Sequence, residues 1–417
     1  MRKKFVFGVF LIAVQLLAAP LFAQQKRAES PKRNSGPRPV PLAYEIAADV
    51  VSSGYDGSMC WFHPRAGLVR GKTPRMVLTM QKWLVERSDV FYPLSHIRTA
   101  DSGKTWTAPV ENTQTLGRRK EPEAGMEVGV SDFTPKWHER SGKLLGTGHT
   151  VRYKDNHLAV NATRSTIWSV YDPVMDQWSD WKTLAMPADS NFYSEGAGST
   201  QRYDLPNGDI LLPTYFKRKS SPLYSVTVLK CRFDGNELKY VGRGNTLTYP
   251  TGRGYFEPSL TRFGKRFFMT IRNNDSAYVA VSRDGLHFEE PVRWRFDDGE
   301  DLGSYNTQQH WVTHSDGLFL VYTRRSELGE NVPRHRAPLF IAQVDPERLV
   351  VIRSTEKILV PNKGAQLGNF GVVNVSENET WVTTSEGMSK TAANFGADNR
   401  LYVVRLKWAR PNKVWSD

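Results

Sequence analysis

Hydrophobic and polar residues follow a period of two along most of this chain, and the stretch Gly254–Phe288 shows the pattern most clearly. The runs Arg266–Arg272 and Ala277–Ser282 each predict a strand, because apolar residues in them alternate or cluster over a few positions. A glycine turn at Gly264 comes before the first run. An Asp-Gly turn at Asp284–Gly285 follows the second. The stretch is therefore predicted to be a β-meander that ends in a small turn motif.

The same turn motif recurs elsewhere along the chain. It is most complete at Thr99–Trp106 (TADSGKTW), where the Asp caps the tight turn, the Gly takes a left-handed conformation and the Trp is expected to pack between neighbouring sheets. A weaker copy spans Tyr171–Trp178, and glycine turns follow at Asn207–Gly208 and Asp316–Gly317. These copies predict a series of similar β units.

The units begin at six positions spaced roughly 40 to 65 residues apart: Arg75, Asp132, Gly196, Glu257, Thr307 and Asn369. Such a period is typical of four-stranded blades around an axis, so we predict an all-β chain folded as a β-propeller of six four-stranded blades, with five or seven as open alternatives. The run Cys60–Val69 is expected to pair with the C-terminal strand Leu401–Leu406, closing the ring so that neither edge stays open.

The N-terminal residues differ in composition from the rest. Basic residues at positions 2–4, an apolar run from Phe5 to Phe22 and a small residue at Ala23 predict a signal peptide at 1–23 and an exported protein, periplasmic or secreted. Residues 24–41, rich in Lys, Arg, Pro, Ser and Gly, predict a disordered tether. Residues 42–417 are then expected to form a single propeller domain, with no membrane span once the signal is removed.

Composition and charge narrow the class of partner. The chain has 12 Trp, 16 Tyr and 20 Phe, which favours β structure, and its net charge of +13 falls by about half without the first 41 residues. The basic and aromatic residues are dispersed, so nucleic-acid binding has little support and an acidic glycan fits better. The two cysteines, Cys60 and Cys231, leave disulfide formation open, and the oligomeric state cannot be read from the sequence.

The turn at Thr99–Trp106 resembles the Asp-box of sialidases and related β-propellers, and Ser282–Phe288 resembles a shortened copy. The stretch Glu257–Asn273 is similar to the sialidase blade in which a Glu begins the inner strand and an Arg ends the next. The resemblance implies three arginines that bind a substrate carboxylate, a Tyr-Glu pair as nucleophile and an Asp as general acid/base. Glu257 then matches the glutamate, Arg272 one arginine and, loosely, Arg65 another.

Two departures from that family lie at positions where catalysis needs specific groups. Gln81 stands where the resemblance implies the acid/base aspartate, and an amide cannot transfer a proton. Phe370, in Gly368-Asn369-Phe370-Gly371, stands where it implies the nucleophilic tyrosine. We therefore expect strict sialidase activity to be doubtful.

The polar residues at the starts of the predicted blades are the candidate site, because a propeller places these positions over its axis. We expect catalytic roles for Glu257 and for Asp132 or Glu195 as acid, base or nucleophile. His63 is the leading candidate for a histidine mechanism. Candidate substrate-binding residues complete the ring: Arg65, Gln81, His149, Arg272, Tyr305 and His310.

Each candidate also has a structural interpretation. Asp132 could cap a turn, Glu195 could be a solvated loop residue beside Gly196, Arg272 could form an interblade ion pair, and a lone histidine is more often structural. The spacing of Cys, His, Asp and Glu predicts no metal site, and the sequence predicts no cofactor.

Three functions follow from these features. The first is a secreted glycoside hydrolase that acts on a terminal, anionic sugar of a glycan substrate. The second is a histidine-dependent polysaccharide lyase or uronate-linked glycosidase on the same fold. The third is a glycan-binding propeller without catalytic activity, which the residues Gln81 and Phe370 favour.

Overall fold

Six antiparallel sheets make up the computed structural model, which describes residues 39–85, 87 and 89–415. We number the sheets as blades 1 to 6 in the chain order of their innermost strands. Blade 1 contains Met59–Val69, Arg75–Leu84, Phe91–Thr99 and Val110–Glu111. Blade 2 contains Arg119–Glu121, Met126–His138, Lys143–Lys154, His157–Leu158, Thr166–Asp172, Gln177–Trp178 and Lys182–Thr183.

The remaining blades repeat this arrangement. Blade 3 contains Ser194–Gly196, Tyr203–Asp204, Asp209–Lys217, Ser225–Phe233, Leu238–Arg243 and Leu247–Thr248. Blade 4 contains Phe256–Phe263, Arg266–Arg272, Tyr278–Ser282 and Val292–Arg293. Blade 5 contains His310–His314, Gly317–Tyr322, Leu339–Asp345, Val350–Val351 and Lys357–Val360. Blade 6 contains Phe370–Ser376, Glu379–Ser385, Leu401–Trp408 and Tyr44–Ser52.

Neighbouring blades contact each other all the way round, because Met59–Val69 of blade 1 lies against both Met126–His138 of blade 2 and Phe370–Ser376 of blade 6. The all-β β-propeller prediction is confirmed, with six sheets among the described residues. Blades 1, 4 and 6 have four strands, whereas blades 2, 3 and 5 carry additional short strands.

The strand that closes the ring was predicted wrongly. Leu401–Trp408 pairs with Tyr44–Ser52 over the register Tyr44↔Trp408 to Ser52↔Leu401, not with Cys60–Val69. The latter run belongs to the innermost strand of blade 1 and pairs with Arg75–Leu84. Closure therefore adds the N-terminal strand at the outer edge of blade 6, where Asp49 and Arg405 form an ion pair with Nε and Oδ2 2.5 Å apart.

Hydrophobic clusters fill the spaces between blades. One cluster joins Val77 and Leu94 of blade 1 to Phe133 and Leu144 of blade 2, and five others occupy the remaining interfaces around the ring. Each large side chain buried in this way contributes about 1.5–3 kcal/mol to folding. The period-two pattern of the sequence therefore supplies two apolar faces per blade, one for each neighbour.

The Asp-box turn forms as its residues require. The Asp101 carboxylate accepts hydrogen bonds from the backbone N–H and the hydroxyl of Thr105, at 3.0 and 2.6 Å, and Gly103 has φ = 79°. The Trp106 ring lies 6.1 Å from that of Trp381, centroid to centroid, in the cluster between blades 1 and 6. The predicted packing of this Trp between sheets is confirmed. Ser282 and Asp284 make the corresponding bonds in the shortened copy.

In the described part of the chain, the connections outside the sheets are loops and seven short 3₁₀ helices: Pro122–Ala124, Glu139–Ser141, Ser190–Phe192, Glu327–Gly329, Pro333–His335, Arg353–Thr355 and Ala392–Phe395. Within the described ranges, none of the helices has the length and apolar character that crossing a membrane requires. Cys60 and Cys231 are buried free thiols in blades 1 and 3. The predicted signal peptide at 1–23 and most of the tether at 24–41 lie outside the described residues.

Candidate active site

A repeated backbone irregularity places polar side chains around one end of the axis. The innermost strands of blades 1, 2 and 4 break register between Phe62 and Arg65, Ser131 and Thr134, and Phe256 and Ser259. Each break contains a residue with positive φ, and blades 3 and 5 have one beside their innermost strands: His63, Asp132, Ser199, Glu257 and Asn306. Such conformations cost of order 1–3 kcal/mol each and cluster at functional sites, where bulges redirect side chains.

Arg65 connects five blades beneath this opening. Its Nη2 donates to Asp132 Oδ1 at 3.2 Å, Ser199 Oγ at 2.9 Å and Gln308 Oε1 at 3.1 Å. Its Nε donates to the Phe370 carbonyl at 3.5 Å, and the side chain is 1% exposed. A guanidinium buried among these acceptors holds them in position, so its direct contact with substrate stays a prediction.

Asp132 is the centre of a buried polar cluster. Besides Arg65, its Oδ1 accepts a hydrogen bond from Ser199 Oγ at 2.5 Å and lies 3.3 Å from His63 Nε2. Its Oδ2 lies 3.7 Å from His149 Nε2, and His149 Nδ1 lies 3.3 Å from the Tyr215 hydroxyl. The sequence-predicted residues His63, Arg65, Asp132 and His149 thus come together from blades 1 and 2.

The protonation states of this cluster follow from burial and charge. Burial disfavours the Asp132 carboxylate, but His63, Arg65 and His149 outweigh it and hold the pKa of Asp132 well below its ordinary value. Burial lowers the pKa of His63, and it lowers that of His149 to about 3, with Asp132 acting in the opposite sense for both. At neutral pH the cluster therefore contains an ionised Asp132 between two neutral imidazoles.

Glu257 and Arg272 form the second polar group, in blade 4. Nη1 of Arg272 donates to both carboxylate oxygens of Glu257, at 2.5 and 2.6 Å, and Nη2 donates to Asn306 Oδ1 at 2.7 Å. The Arg272 guanidinium also lies 4.6 Å from the centre of the Phe256 ring. Glu257 keeps 14% of its side chain exposed, so this ion pair borders the opening.

Two arginines of blade 5 lie next to this pair. Arg336 is buried, and its Nη2 donates to the Asn306 carbonyl at 2.9 Å. Burial and repulsion from Arg272 and Arg334 lower the pKa of Arg336 to about 9, and partial burial followed by repulsion from Arg272 lowers that of Arg334. Glu257 alone does not balance these three cations. Asp89 is the other carboxylate that acts on Arg334 and Arg336, so three cations face two carboxylates.

Asp89 is an exposed carboxylate at the same opening, in the loop between the second and third strands of blade 1. Its negative charge acts to raise the pKa of His63 in blade 1 and those of Arg334 and Arg336 in blade 5. Its φ of 50° is a further strained backbone position. The Asp89 carboxylate therefore lies close enough to the arginine group to act on it electrostatically.

Comparison with solved structures identifies the fold. A protein of unknown function from Dyadobacter fermentans matches with a TM-score of 0.63 and 16% identity, over 87% of this chain and 99% of that one. The Hadza microbial sialidase matches at 0.59 and 12%, over 85% of this chain and 66% of that one, and Trypanosoma rangeli sialidase at 0.57 and 14%, over 88% and 60%. The chain has the sialidase-like β-propeller fold. It spans about three-fifths of the trypanosomal enzyme.

At the level of sequence, no family model matches the chain, and no curated protein does. The identities to the solved sialidases are low, so the likeness concerns the fold. A structure of the Trypanosoma rangeli sialidase has been determined with sialic acid bound.

The sialidase-like propeller departs from the expected chemistry at two buried positions. Gln81 is 1% exposed, and its Nε2 donates to the carbonyls of Tyr92 and Val130, at 3.0 and 2.8 Å, which ties blade 1 to blade 2. Phe370 is fully buried, and its carbonyl accepts a hydrogen bond from Gln308 Nε2 at 2.6 Å. Both residues act as structural contacts here. Contact of Gln81 with substrate, like that of Arg65, stays a prediction.

Three other predicted residues lie outside the two polar groups. Glu195 is buried and accepts hydrogen bonds from the backbone N–H of Thr166 at 3.1 Å and its hydroxyl at 2.6 Å, which links blades 2 and 3. His310 is buried against Phe370 and Ser259. Tyr305 is half-buried, and its hydroxyl pairs with His335 Nδ1 at 2.8 Å. Glu195 therefore makes contacts between blades and does not occupy a solvated loop position.

Several residues at the opening were not among the candidate site residues predicted from the sequence. Arg334 and Arg336 belong to the basic triplet Arg334-His335-Arg336, a signal that could have been noticed. Asp89 precedes an ordinary strand, and Ser199 follows a Gly-Ala-Gly turn, so neither has a distinctive local pattern. In the part of the chain that the structure describes, no group of three or more His, Cys, Asp or Glu is placed to hold a metal ion.

A separate cavity of about 140 Å³ lies at the other end of the axis, lined by all six innermost strands or the segments beside them. Its lining includes Leu68, Thr134, Leu260, Trp311 and Val372. Along the innermost strands, these residues follow the residues of the polar groups by a few positions. The cavity contacts none of the candidate site residues.

Proposed function

We propose that this protein is an exported, glycan-active glycoside hydrolase that acts on a terminal, anionic sugar. The observation that carries the proposal is the group of Arg272, Arg334 and Arg336, whose positive charge Glu257 does not neutralise. Guanidinium groups match carboxylates in shape and charge. The sialidase-like fold supports a sugar ligand at this end of the axis, and export rests on the first 23 residues alone.

In this proposal the sugar's anionic group lies against the arginine group. Binding of a carboxylate or sulfate there relieves the repulsion among three neighbouring cations, so the free energy of binding includes that relief. Arg336 donates to the Asn306 backbone carbonyl and Arg272 donates to the Asn306 side-chain oxygen, which keeps both guanidinium groups in place before the ligand arrives. Neutral sugars have no anionic group to contact the arginines, so the site is selective for acidic sugars.

Hydrolysis requires one group that donates a proton and another that accepts one. We assign the donor role to Asp89, which delivers a proton to the leaving-group oxygen. Glu257 accepts a proton from the attacking water. The water oxygen bonds to the anomeric carbon, and the bond between that carbon and the leaving-group oxygen breaks. Asp132 stays ionised in contact with Arg65, Ser199 and His63, and its negative charge stabilises the positive charge that develops on the sugar.

The histidine mechanism gains less support from these contacts. His63 directs Nε2 to Asp132, and its Nδ1 is buried without a partner among the described residues. His149 directs its two nitrogens to Asp132 and Tyr215. A base must reach the substrate proton, so these imidazoles act best as positioning groups for Asp132.

A panel of chromogenic substrates tests the proposal. Aryl sialosides, aryl glucuronides and aryl 6-sulfoglycosides are compared with neutral aryl glycosides, with release of the phenol as the readout. We expect turnover of at least one anionic substrate and none of its neutral counterpart. Turnover of neutral substrates alone would refute the role given to the arginines.

A second candidate is a glycan-binding propeller without turnover, and one observation favours it. Both positions where the family resemblance implies catalytic groups, Gln81 and Phe370, are occupied by buried structural residues. Titration calorimetry with the free acidic sugars separates the two functions. Binding together with no product from any substrate of the panel would establish the second candidate.

A further inference from the structure

A second concave surface lies beside the candidate site, on the same end of the propeller. It is formed where Asp209–Lys217 ends, where Ser225–Phe233 begins and where Leu238–Arg243 ends, all in blade 3. Since Ser194 at the start of the innermost strand pairs with Lys217, these strand ends share the face that carries the site. We call this cavity of about 420 Å³ the blade 3 groove.

The blade 3 groove is basic. Lys217, Arg218 and Arg243 line it, and Arg218 and Arg243 are exposed. Asp189 is the carboxylate whose pKa these two arginines lower, after the larger effect of its hydrogen bonds with Asn191. Asn191 donates its backbone N–H to Asp189 and accepts a hydrogen bond from Arg218 Nε at 2.5 Å. The three cations of the lining outnumber this one carboxylate, so positive charge is in excess.

Aromatic rings lie among these cations. Tyr193 is 41% exposed, and Lys219 Nζ lies 6.0 Å from its ring centre. The Arg243 guanidinium lies 5.5 Å from the ring of Phe192, and Tyr249 lines the groove wall. Aromatic faces stack on sugar rings while neighbouring cations bind their charged substituents, so the surface fits a polymer that carries both.

A row of cations and rings connects the blade 3 groove to the arginine group. Tyr224 accepts a hydrogen bond from Arg164 Nη1 at 2.8 Å, and Lys217 Nζ lies 5.2 Å from its ring centre. Arg253 lies 6.0 Å from the Tyr224 ring and 4.5 Å from that of Phe256. Arg272 lies at 4.6 Å from the same Phe256 ring. Positive charge is therefore continuous from the site outward.

We propose that the blade 3 groove binds the inner residues of an acidic polysaccharide whose terminal sugar occupies the site. This inference rests on the proposed function for the direction of the chain, and it adds the substrate class: a polymer with a negative charge on successive sugars, not a single acidic cap on a neutral glycan. Each additional anionic sugar meets a further cation until the groove is filled.

The test is a length series. Oligomers of α2,8-linked sialic acid and of galacturonic acid, from one to six sugars, are titrated calorimetrically against the whole mature protein. We expect affinity to rise roughly tenfold or more between one and four sugars for at least one series, and the rise to weaken with added salt. The variant Arg218→Ala/Arg243→Ala is expected to lose most of that rise and to bind the monomer as the wild type does.

A matched control comes from the other end of the same blade. Arg232→Ala/Lys239→Ala removes two exposed cations there, and it should leave the length dependence unchanged. Equal length dependence in the groove variant and the wild type would overturn the inference, as would binding of single-stranded DNA as tight as that of the glycans. The variant Arg334→Ala tests the site separately, because it should weaken binding of the monomer. If Arg334→Ala binds the monomer as tightly as the wild type does and the length dependence persists, the proposed function is contradicted while the inference about the blade 3 groove is not.

Discussion

Glu257 and Arg272 form a closed ion pair in which one guanidinium nitrogen donates to both carboxylate oxygens, at 2.5 and 2.6 Å. The two residues are 15 positions apart in the chain but lie at the same end of an antiparallel strand pair, where Phe256 pairs with Arg272 and the register is interrupted beside Glu257. This geometry fixes the carboxylate at the rim of the opening and directs the other guanidinium nitrogen towards Asn306. In the proposed hydrolase, the pair therefore supplies both the base Glu257 and one arginine of the anion-binding group.

Replacing Glu257 by Gln should separate these two roles. We expect kcat to fall about 100-fold or more, because the amide cannot accept a proton. Affinity for an acidic sugar should persist or increase, since the arginine group loses its counter-charge. Steady-state kinetics and calorimetry measure both, with the exposed Glu237→Gln as control. A fully active variant would remove Glu257 from the mechanism.

Arg334→Ala should weaken binding of an anionic ligand roughly tenfold, because one charge-assisted contact is lost at an exposed position. The melting temperature should stay that of the wild type. Arg283→Ala, an exposed arginine in the shortened Asp-box of blade 4, provides the matched control. Unchanged affinity in the Arg334 variant would argue against a carboxylate or sulfate at this position.

Asp89→Asn should slow hydrolysis in a way that depends on the leaving group. Substrates with a poorly acidic alcohol as leaving group need the proton and should lose about 100-fold in kcat, whereas a nitrophenyl glycoside should lose much less. The comparison of the two substrates within one variant is the measurement. Asp155→Asn, in an exposed turn of blade 2, should affect neither substrate. Equal loss for both substrates would be inconsistent with a proton donor.

Stability should fall with acidification because of buried histidines. Burial lowers the pKa of His310 from 6.5 to about 3, so the unfolded chain takes up a proton below about pH 6.5 while the folded chain does not. The free energy of unfolding should then decrease by about 1.4 kcal/mol per pH unit from this residue as pH falls through that window. Urea unfolding from pH 7 to pH 4 should show a shallower slope for His310→Gln than for the wild type. The exposed His287→Gln should keep the wild-type slope.

The Asp-box turn gives a test of the fold. At Gly103, φ is 79° and an added Cβ would lie 2.7 Å from Arg405 Nη2 and 3.1 Å from Trp381 Cη2. Gly103→Ala should therefore destabilise the protein by about 1–3 kcal/mol. Gly71→Ala, where a Cβ meets nothing within 4 Å and φ is not positive, should change stability little. Denaturant unfolding compares the two, and equal stabilities would show that the turn tolerates a side chain.

The sequence determined the architecture of this protein to a large extent. Alternation of period two, the turn at Thr99–Trp106 and the recurrence of similar units predicted an all-β propeller, because strand pleating and turn chemistry are local properties. It also selected His63, Asp132, Glu257 and Arg272, which do border the axis. The contacts between those residues are not local properties.

The tertiary structure decided which polar residues meet and which are buried. Bulges with positive φ turn single side chains towards the axis. One inserted residue moves the side chains that follow it to the other face of the strand, and no distinctive sequence pattern marks the insertion. The packing of blade 5 against blade 4 brings Arg334 and Arg336 to Arg272, over 60 residues away in the chain, and contacts between blades bury Gln81 and Phe370. Hydrophobic pattern fixes where strands run, but charge and burial at the axis depend on all six blades together.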